Sequence, residues 1–122
     1  MSRPRKRGCR LFLSDRAVAD IAAIKAYSTK EWGKSAAAKY QSDISAGMRN
    51  IRHNPELLRA EPTFHAALRF YRVRKHLLVC DVRAKVISVV MVIHASMDIP
   101  TRLAELEPTL SREVDILRRR TS

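Results

Sequence analysis

Glycine is nearly missing from this chain: three occur in 122 residues. Phosphate-cradling loops and dinucleotide fingerprints need several glycines at fixed spacing, so neither is present. Cysteine is equally scarce. Cys9 and Cys80 lie far apart, too few for a disulfide framework and at no zinc-binding spacing. Both read as reduced thiols. The four histidines and two cysteines are too scattered for a metal site, so neither metal nor cofactor is expected. No apolar run approaches the roughly 20 residues that cross a bilayer. The basic start "MSRPRKRGCR" is followed by no apolar segment of signal-peptide type, so a cytoplasmic location and no membrane association are expected. Acidic residues are also few: 12 against 24 lysines and arginines, a net charge of +12. Such a chain repels itself and attracts anions, which points to nucleic acid or an acidic protein as partner.

What is present fits one domain. A 46% hydrophobic content supports a packed core. Residues 1–8 read as a flexible basic arm, with Arg3, Arg5, Lys6 and Arg7 around Pro4. "CRLFL" reads as a short strand. Ser14 and Asp15 then start a helix over 15–31, with Ala17, Ile21, Ile24 and Tyr27 on one side. Gly33 stops it, and Ser35 is expected to cap the next helix. There Ala37, Tyr40, Ile44, Met48 and Ile51 repeat the period until Asn54-Pro55 ends it. Trp32 and Tyr40 read as packing residues at the turn of this αα-hairpin. Residues 55–67 show no period and read as a loop. "LRFYRV", "LLVCDV" and "VISVVMVIH" follow, joined by the short basic links "RKH" and "RAK". They read as an antiparallel three-stranded meander. The last strand is apolar on both faces, so it is expected to be the most buried. A short turn or helix follows Pro100. A last helix over 109–119, capped by Thr109 or Ser111, ends in Arg118-Arg119-Arg120. The fold class is α+β: an N-terminal strand, an αα-hairpin packed on a small antiparallel sheet ending in the meander, and a C-terminal helix. The expected partition is an arm at 1–8, a domain at 9–107 and a C-terminal helical extension with a basic tail at 108–122.

The order and content of these elements resemble the RelE/ParE superfamily of type II toxin–antitoxin toxins, and the ParE branch most. "LSDRAVADIAAIKAYSTKEWG" is similar to that branch's first helix and "NPEL" to the end of its second. "LRFYRVRKHLLVCDV" resembles its first meander hairpin. "VIHASMDIPTRL" resembles its closing strand and His-x-x-x-Asp-hydrophobic-Pro signature. The chain departs from the pattern at Arg74-Lys75-His76, where the branch usually has a glycine, at Val79-Cys80, which replaces an aromatic pair, and at Ala95, where glycine is common. The resemblance implies a growth-inhibiting toxin of plasmid-stabilisation type, neutralised by a cognate antitoxin with an acidic segment. For the ParE branch it implies DNA gyrase as target, with no hydrolytic site. For the RelE branch it implies metal-independent cleavage of mRNA on the ribosome. A basic nucleic-acid-binding module without toxicity is a third reading.

The residues divide along the same lines. RNA cleavage without metal needs a base, a cation for the phosphorane and an acid. Arg69, Lys75 and His94 are the candidates, because arginine alone is too basic to accept a proton. No tyrosine follows Tyr71 to act as a late catalytic group. His94 ends the buried strand, where a structural imidazole is commoner than a catalytic one, and a bond to Asp98 would pin the turn that follows. Ser88 and Ser96 lie near it, but no nucleophile elbow accompanies them. Arg69, Arg72, Arg74, Lys75, Arg83 and Lys85 gather on the meander and its turns. They read either as charges that deter edge pairing or as a surface for an acidic partner or target.

Overall fold

The computed structural model describes residues 9–121, so the expected arm at 1–8 lies outside the described residues. Strand β1 (Arg10–Leu13) runs into helix α1 (Asp15–Trp32). Ser14 makes that junction. Its Oγ accepts the Ala17 N–H at 2.8 Å, capping α1, and donates to the Val90 carbonyl at 2.6 Å. One buried hydroxyl thus starts the helix and ties it to the sheet. Helix α2 (Lys34–His53) begins one residue after α1 ends. Gly33 bridges them at φ 91°, a left-handed conformation that favours glycine. Its carbonyl accepts the Ala37 N–H at 3.0 Å, so Gly33 rather than Ser35 opens α2, and Ser35 lies inside the helix.

The expected loop after α2 contains a 3-10 turn (Pro55–Leu57) and a two-residue strand, β2 (Arg59–Ala60). β2 pairs with β3 (Arg69–Val73), which pairs with β4 (His76–Arg83), which pairs with β5 (Val86–His94), all antiparallel. β1 adds to the other side of β5 in parallel, giving the order β1-β5-β4-β3-β2. The meander is as expected, within a mixed five-stranded sheet. β5 outlasts β1. Beyond the last pairing at Leu13↔Val89, the Asp20 carboxylate of α1 takes the Val92 N–H at 3.0 Å.

Helix α3 (Ile99–Glu105) and helix α4 (Glu107–Thr121) follow the sheet. Asp98 caps α3, and α4 begins before Thr109 and Ser111, so neither of those caps it. The sheet is covered on both faces. Tyr40, Ile44 and Ile51 of the hairpin pack on Leu78, Cys80, Ile87 and Val89. Leu103 and Leu110 pack on the opposite face, with Phe70, Val79 and Met91. This second layer is why β5 is apolar on both sides. Leu110 and Leu117 are each 2% exposed, so α4 is part of the core. A bidentate pair fastens its end: Arg118 donates to the buried Asp81 of β4 at 2.8 and 3.2 Å.

Two local features set the geometry of the sheet's far end. Gly47 lets β3 approach α2, since a Cβ there would lie 2.6 Å from the Val73 Cγ2. The β4–β5 register also slips between Val79↔Met91 and Cys80↔Val89, leaving Val90 as an extra residue on β5. That bulge reverses the alternation beyond it. Val90 and Met91 both face α3 and α4, while Val92 faces the hairpin. His94 therefore lies on the hairpin side, directly opposite His76.

Candidate functional site

The turn between β3 and β4 carries Arg74 at φ 54°, a left-handed position without glycine. Side chains from α2 hold it. Arg74 Nε meets Asp43 Oδ2 at 3.0 Å, and its guanidinium lies 5.1 Å from the Tyr40 ring centre. Arg72 Nε donates to the Arg74 carbonyl at 2.6 Å. The Tyr40 hydroxyl accepts the Lys75 N–H at 3.1 Å and sits 2.6 Å from His76 Nδ1. The Tyr40 hydroxyl can donate to Nδ1 of a neutral His76 while accepting from Lys75, an arrangement that leaves that ring's own proton on Nε2. The Lys75 carbonyl accepts the Ala95 N–H at 2.7 Å, closing the end of the sheet.

His76 and His94 meet edge to face, ring centres 5.1 Å apart. Burial, and secondarily the positive charge on His94, pulls His76 down to about 4. It is therefore neutral at physiological pH. His94 Nδ1 accepts the Ser96 N–H at 3.1 Å and lies 2.7 Å from Ser96 Oγ. Its free nitrogen is Nε2, which carries the proton in the neutral ring. A neutral His94 so arranged offers a donor and not a base. The expected bond to Asp98 is not made. Asp98 instead accepts the Thr101 N–H at 3.5 Å and the Thr101 Oγ1 hydroxyl at 2.9 Å as the α3 cap, and Ser96 occupies His94. His94 is also only half-buried, since it ends the strand at an open hollow.

That hollow, of about 480 Å³, is lined by Arg72, Lys75, His94, Ala95 and Ser96. An apolar cleft of about 300 Å³ adjoins it, between Ile24, Tyr27 and Trp32 on one side and Tyr40, His76 and His94 on the other. Trp32 and Tyr27 are 53% and 58% exposed and stack edge to face at 5.7 Å. Trp32 runs against the expectation of packing: with Tyr27 it walls the open cleft instead of entering the core. Tyr40 is buried as expected, but its hydroxyl organises the turn, a role the sequence did not indicate. Asp43 was not singled out either. Its only sequence signal was an acid within an otherwise basic region.

The six basic residues do not form one surface. Arg72, Arg74 and Lys75 sit at this end. Arg83 and Lys85 sit at the β4–β5 turn, the length of an eight-residue strand away, about 25 Å. Arg69 starts β3 and faces the hairpin opposite Cys80, remote from Lys75 and His94. Of the three nuclease candidates, only Lys75 and His94 share a hollow. Cys80 is wholly buried, and burial followed by the Asp81 charge raises its thiol, leaving it unreactive. Among the described residues, no three His, Cys, Asp or Glu side chains gather for a metal ion, and no helix is long and apolar enough to cross a membrane.

Residues 11–99 match the family of ParE toxins of the type II toxin–antitoxin system parDE. The chain belongs to the ParE toxin family. It is 30% identical over 94 residues to the Toxin ParE of Escherichia coli, spanning 76% of this chain and 91% of that protein. In fold it resembles a chain of the chromosomal ParDE TA system from P. aeruginosa, with a TM-score of 0.65, 17% identity and coverage of 74% of this chain and 99% of that one. This ParE family member is a toxin of a type II toxin–antitoxin system, and an antitoxin is its class of partner.

Proposed function

We propose that this ParE family toxin inhibits growth by binding DNA gyrase in the cytoplasm, and that an acidic segment of its cognate antitoxin neutralises it. The observation that carries the binding reading is the β3–β4 end. Arg72, Arg74 and Lys75 surround an aromatic cleft that is open to solvent, an arrangement suited to gripping a macromolecular surface. The imidazoles beside it lack the geometry of a base: Ser96 holds the acceptor nitrogen of His94, and Tyr40 holds that of His76. The test is a supercoiling assay with purified toxin and gyrase, run beside an mRNA cleavage assay on translating ribosomes. Loss of supercoiling with intact RNA supports the reading. Unaffected gyrase with codon-register RNA cuts overturns it.

One observation favours a metal-independent mRNA endonuclease as the second reading. Arg72, Lys75 and His94 line a single open hollow, enough to hold a phosphate and to protonate a leaving oxygen. In that mechanism Lys75 would enter deprotonated and accept the 2′-hydroxyl proton, and His94 would enter as the imidazolium and give a proton to the leaving oxygen.

A further inference from the structure

The apolar cleft beside Trp32 is flanked by two basic hollows. One, of about 480 Å³, borders it at His94 and is lined by Arg72, Lys75 and Ser96. The other, of about 330 Å³, borders it at Trp32 and Tyr40 and is lined by Arg74 and Lys75. Lys75 is the one residue common to the cleft and both hollows. It is exposed, and its ammonium has no partner among the described residues. Arg72 uses Nε for the Arg74 carbonyl and Arg74 pairs with Asp43, so Lys75 is the cation most available to an anion. No Asp or Glu lines the cleft or either hollow. Between the hollows, Tyr27 and Trp32, both more than half exposed, stand across the cleft from Tyr40 and His76. At about 300 Å³ the cleft has the room of a small-ligand site.

We infer that this cleft takes the base of a nucleotide, free or within a single strand, with phosphate in the flanking hollows. Aromatic walls stack on the π-face that every base presents, and need no polar groups to read its edge. The Lys75 stem runs along the apolar cleft while its ammonium reaches phosphate. In the first hollow the Nε2–H of His94 adds a donor beside Arg72. A base within a strand has a phosphate on each side, and the cleft has a basic hollow on each side. Charge narrows the occupant. A quaternary or alkyl ammonium suits an aromatic cage, but Lys75, Arg72 and Arg74 repel it. An apolar side chain fills the cleft and leaves the cations unanswered. A duplex keeps its bases stacked and out of reach. The inference stands apart from the gyrase reading, because it concerns the toxin alone.

Trp32 is the chain's single tryptophan, so its fluorescence reports on the cleft. The probes are a thymidylate trinucleotide, thymidine 5′-monophosphate and inorganic phosphate, titrated into the full-length chain at low salt. Saturable quenching by the nucleotides is expected, and none by inorganic phosphate. A trinucleotide at least about tenfold tighter than the monophosphate assigns the site to a strand, and a smaller ratio assigns it to a free nucleotide. Lys75→Gln is expected to weaken binding at least about tenfold, and Lys85→Gln, an equal loss of charge at the other turn, by less than about twofold. Tyr27→Ala is expected to weaken it at least about fivefold. All three side chains are exposed, so the variants keep the fold, which circular dichroism checks. Absence of quenching by either nucleotide overturns the assignment. Equal losses from the two lysine variants, an unchanged affinity in Tyr27→Ala, or equal quenching by inorganic phosphate does the same. A toxin that inhibits gyrase but shows no quenching sinks this assignment alone. Quenching by a toxin that leaves gyrase untouched upholds it and sinks the gyrase reading.

Discussion

The two turns of the meander look alike in sequence and differ in construction. "RKH" and "RAK" are short basic links, and each puts a non-glycine residue at positive φ: Arg74 at 54° and Ala84 at 53°. At the first turn, α2 supplies Asp43 and Tyr40, the Lys75 N–H is answered by Tyr40, and the Arg74 and Lys75 carbonyls by Arg72 and Ala95. At the second, Ala84 and Lys85 are exposed, and Arg83 makes one long contact of 3.4 Å with the Arg118 carbonyl. Charge alone therefore does not make a site. The first turn is rigid because a buried phenol is built into it, and that rigidity is what a binding surface requires.

The largest expected effect is at Tyr40. Tyr40→Ala should cost about 3–5 kcal/mol through the cavity it leaves, and Tyr40→Phe about 1–2 kcal/mol through the two lost bonds. Lys85→Ala at the other turn should stay within about 0.5 kcal/mol. Urea unfolding midpoints check this, and equal costs at both turns would break the contrast.

His76 sharpens it next. Its folded value of about 4 lies below the unfolded 6.5, so the unfolded chain binds the extra proton. Above pH 6.5 it contributes no pH dependence. Stability falls as pH drops from 6.5 towards 4 and levels off below. The full shift corresponds to about 3 kcal/mol, which half-exposure reduces to about 1–2. His76→Gln should flatten the melting temperature across that window relative to the parent. An unchanged slope would show that the imidazole is not desolvated.

Asp81 is the second turn's nearest anchor. Asp81→Asn should cost about 1 kcal/mol, because Arg118 keeps much of its hydration, and should speed amide exchange in the last turns of α4 while leaving the β3–β4 turn untouched. The smallest effect is at the turns themselves. Ala84→Gly should stabilise by up to about 1 kcal/mol by relieving the left-handed alanine. Arg74→Gly should gain nothing, since it also loses the Asp43 pair and the Tyr40 stack. Thermal melts of the two variants decide it.

Much of this fold was legible in the sequence. The helix starts at Ser14, the break at Gly33, the Asn54-Pro55 stop and the three strands all rest on local rules of capping, period and turn length. β2 was not legible, because two residues carry no period and exist only by pairing with Phe70 and Arg69. The face on which His94 sits was not legible either. A bulge at Val90, in a strand apolar throughout, leaves no trace in the alternation. The site was legible as a list of basic residues and not as a place. Grouping them required the strand lengths that part Lys75 from Lys85, and the reach of Tyr40 from α2. Trp32 shows the converse error, since a large aromatic beside a helix turn reads as packing until the layer beneath it is known.

The central claim is that the β3–β4 end, and not the meander's charge as a whole, engages the target. Two charge-reversal pairs of equal net change test it: Arg72→Glu with Lys75→Glu, and Arg83→Glu with Lys85→Glu. The measurement is the concentration of folded toxin that halves gyrase supercoiling. The account predicts that the first pair raises it at least about tenfold and the second leaves it within about twofold. Equal losses from the two pairs, or a greater loss from the second, would contradict it.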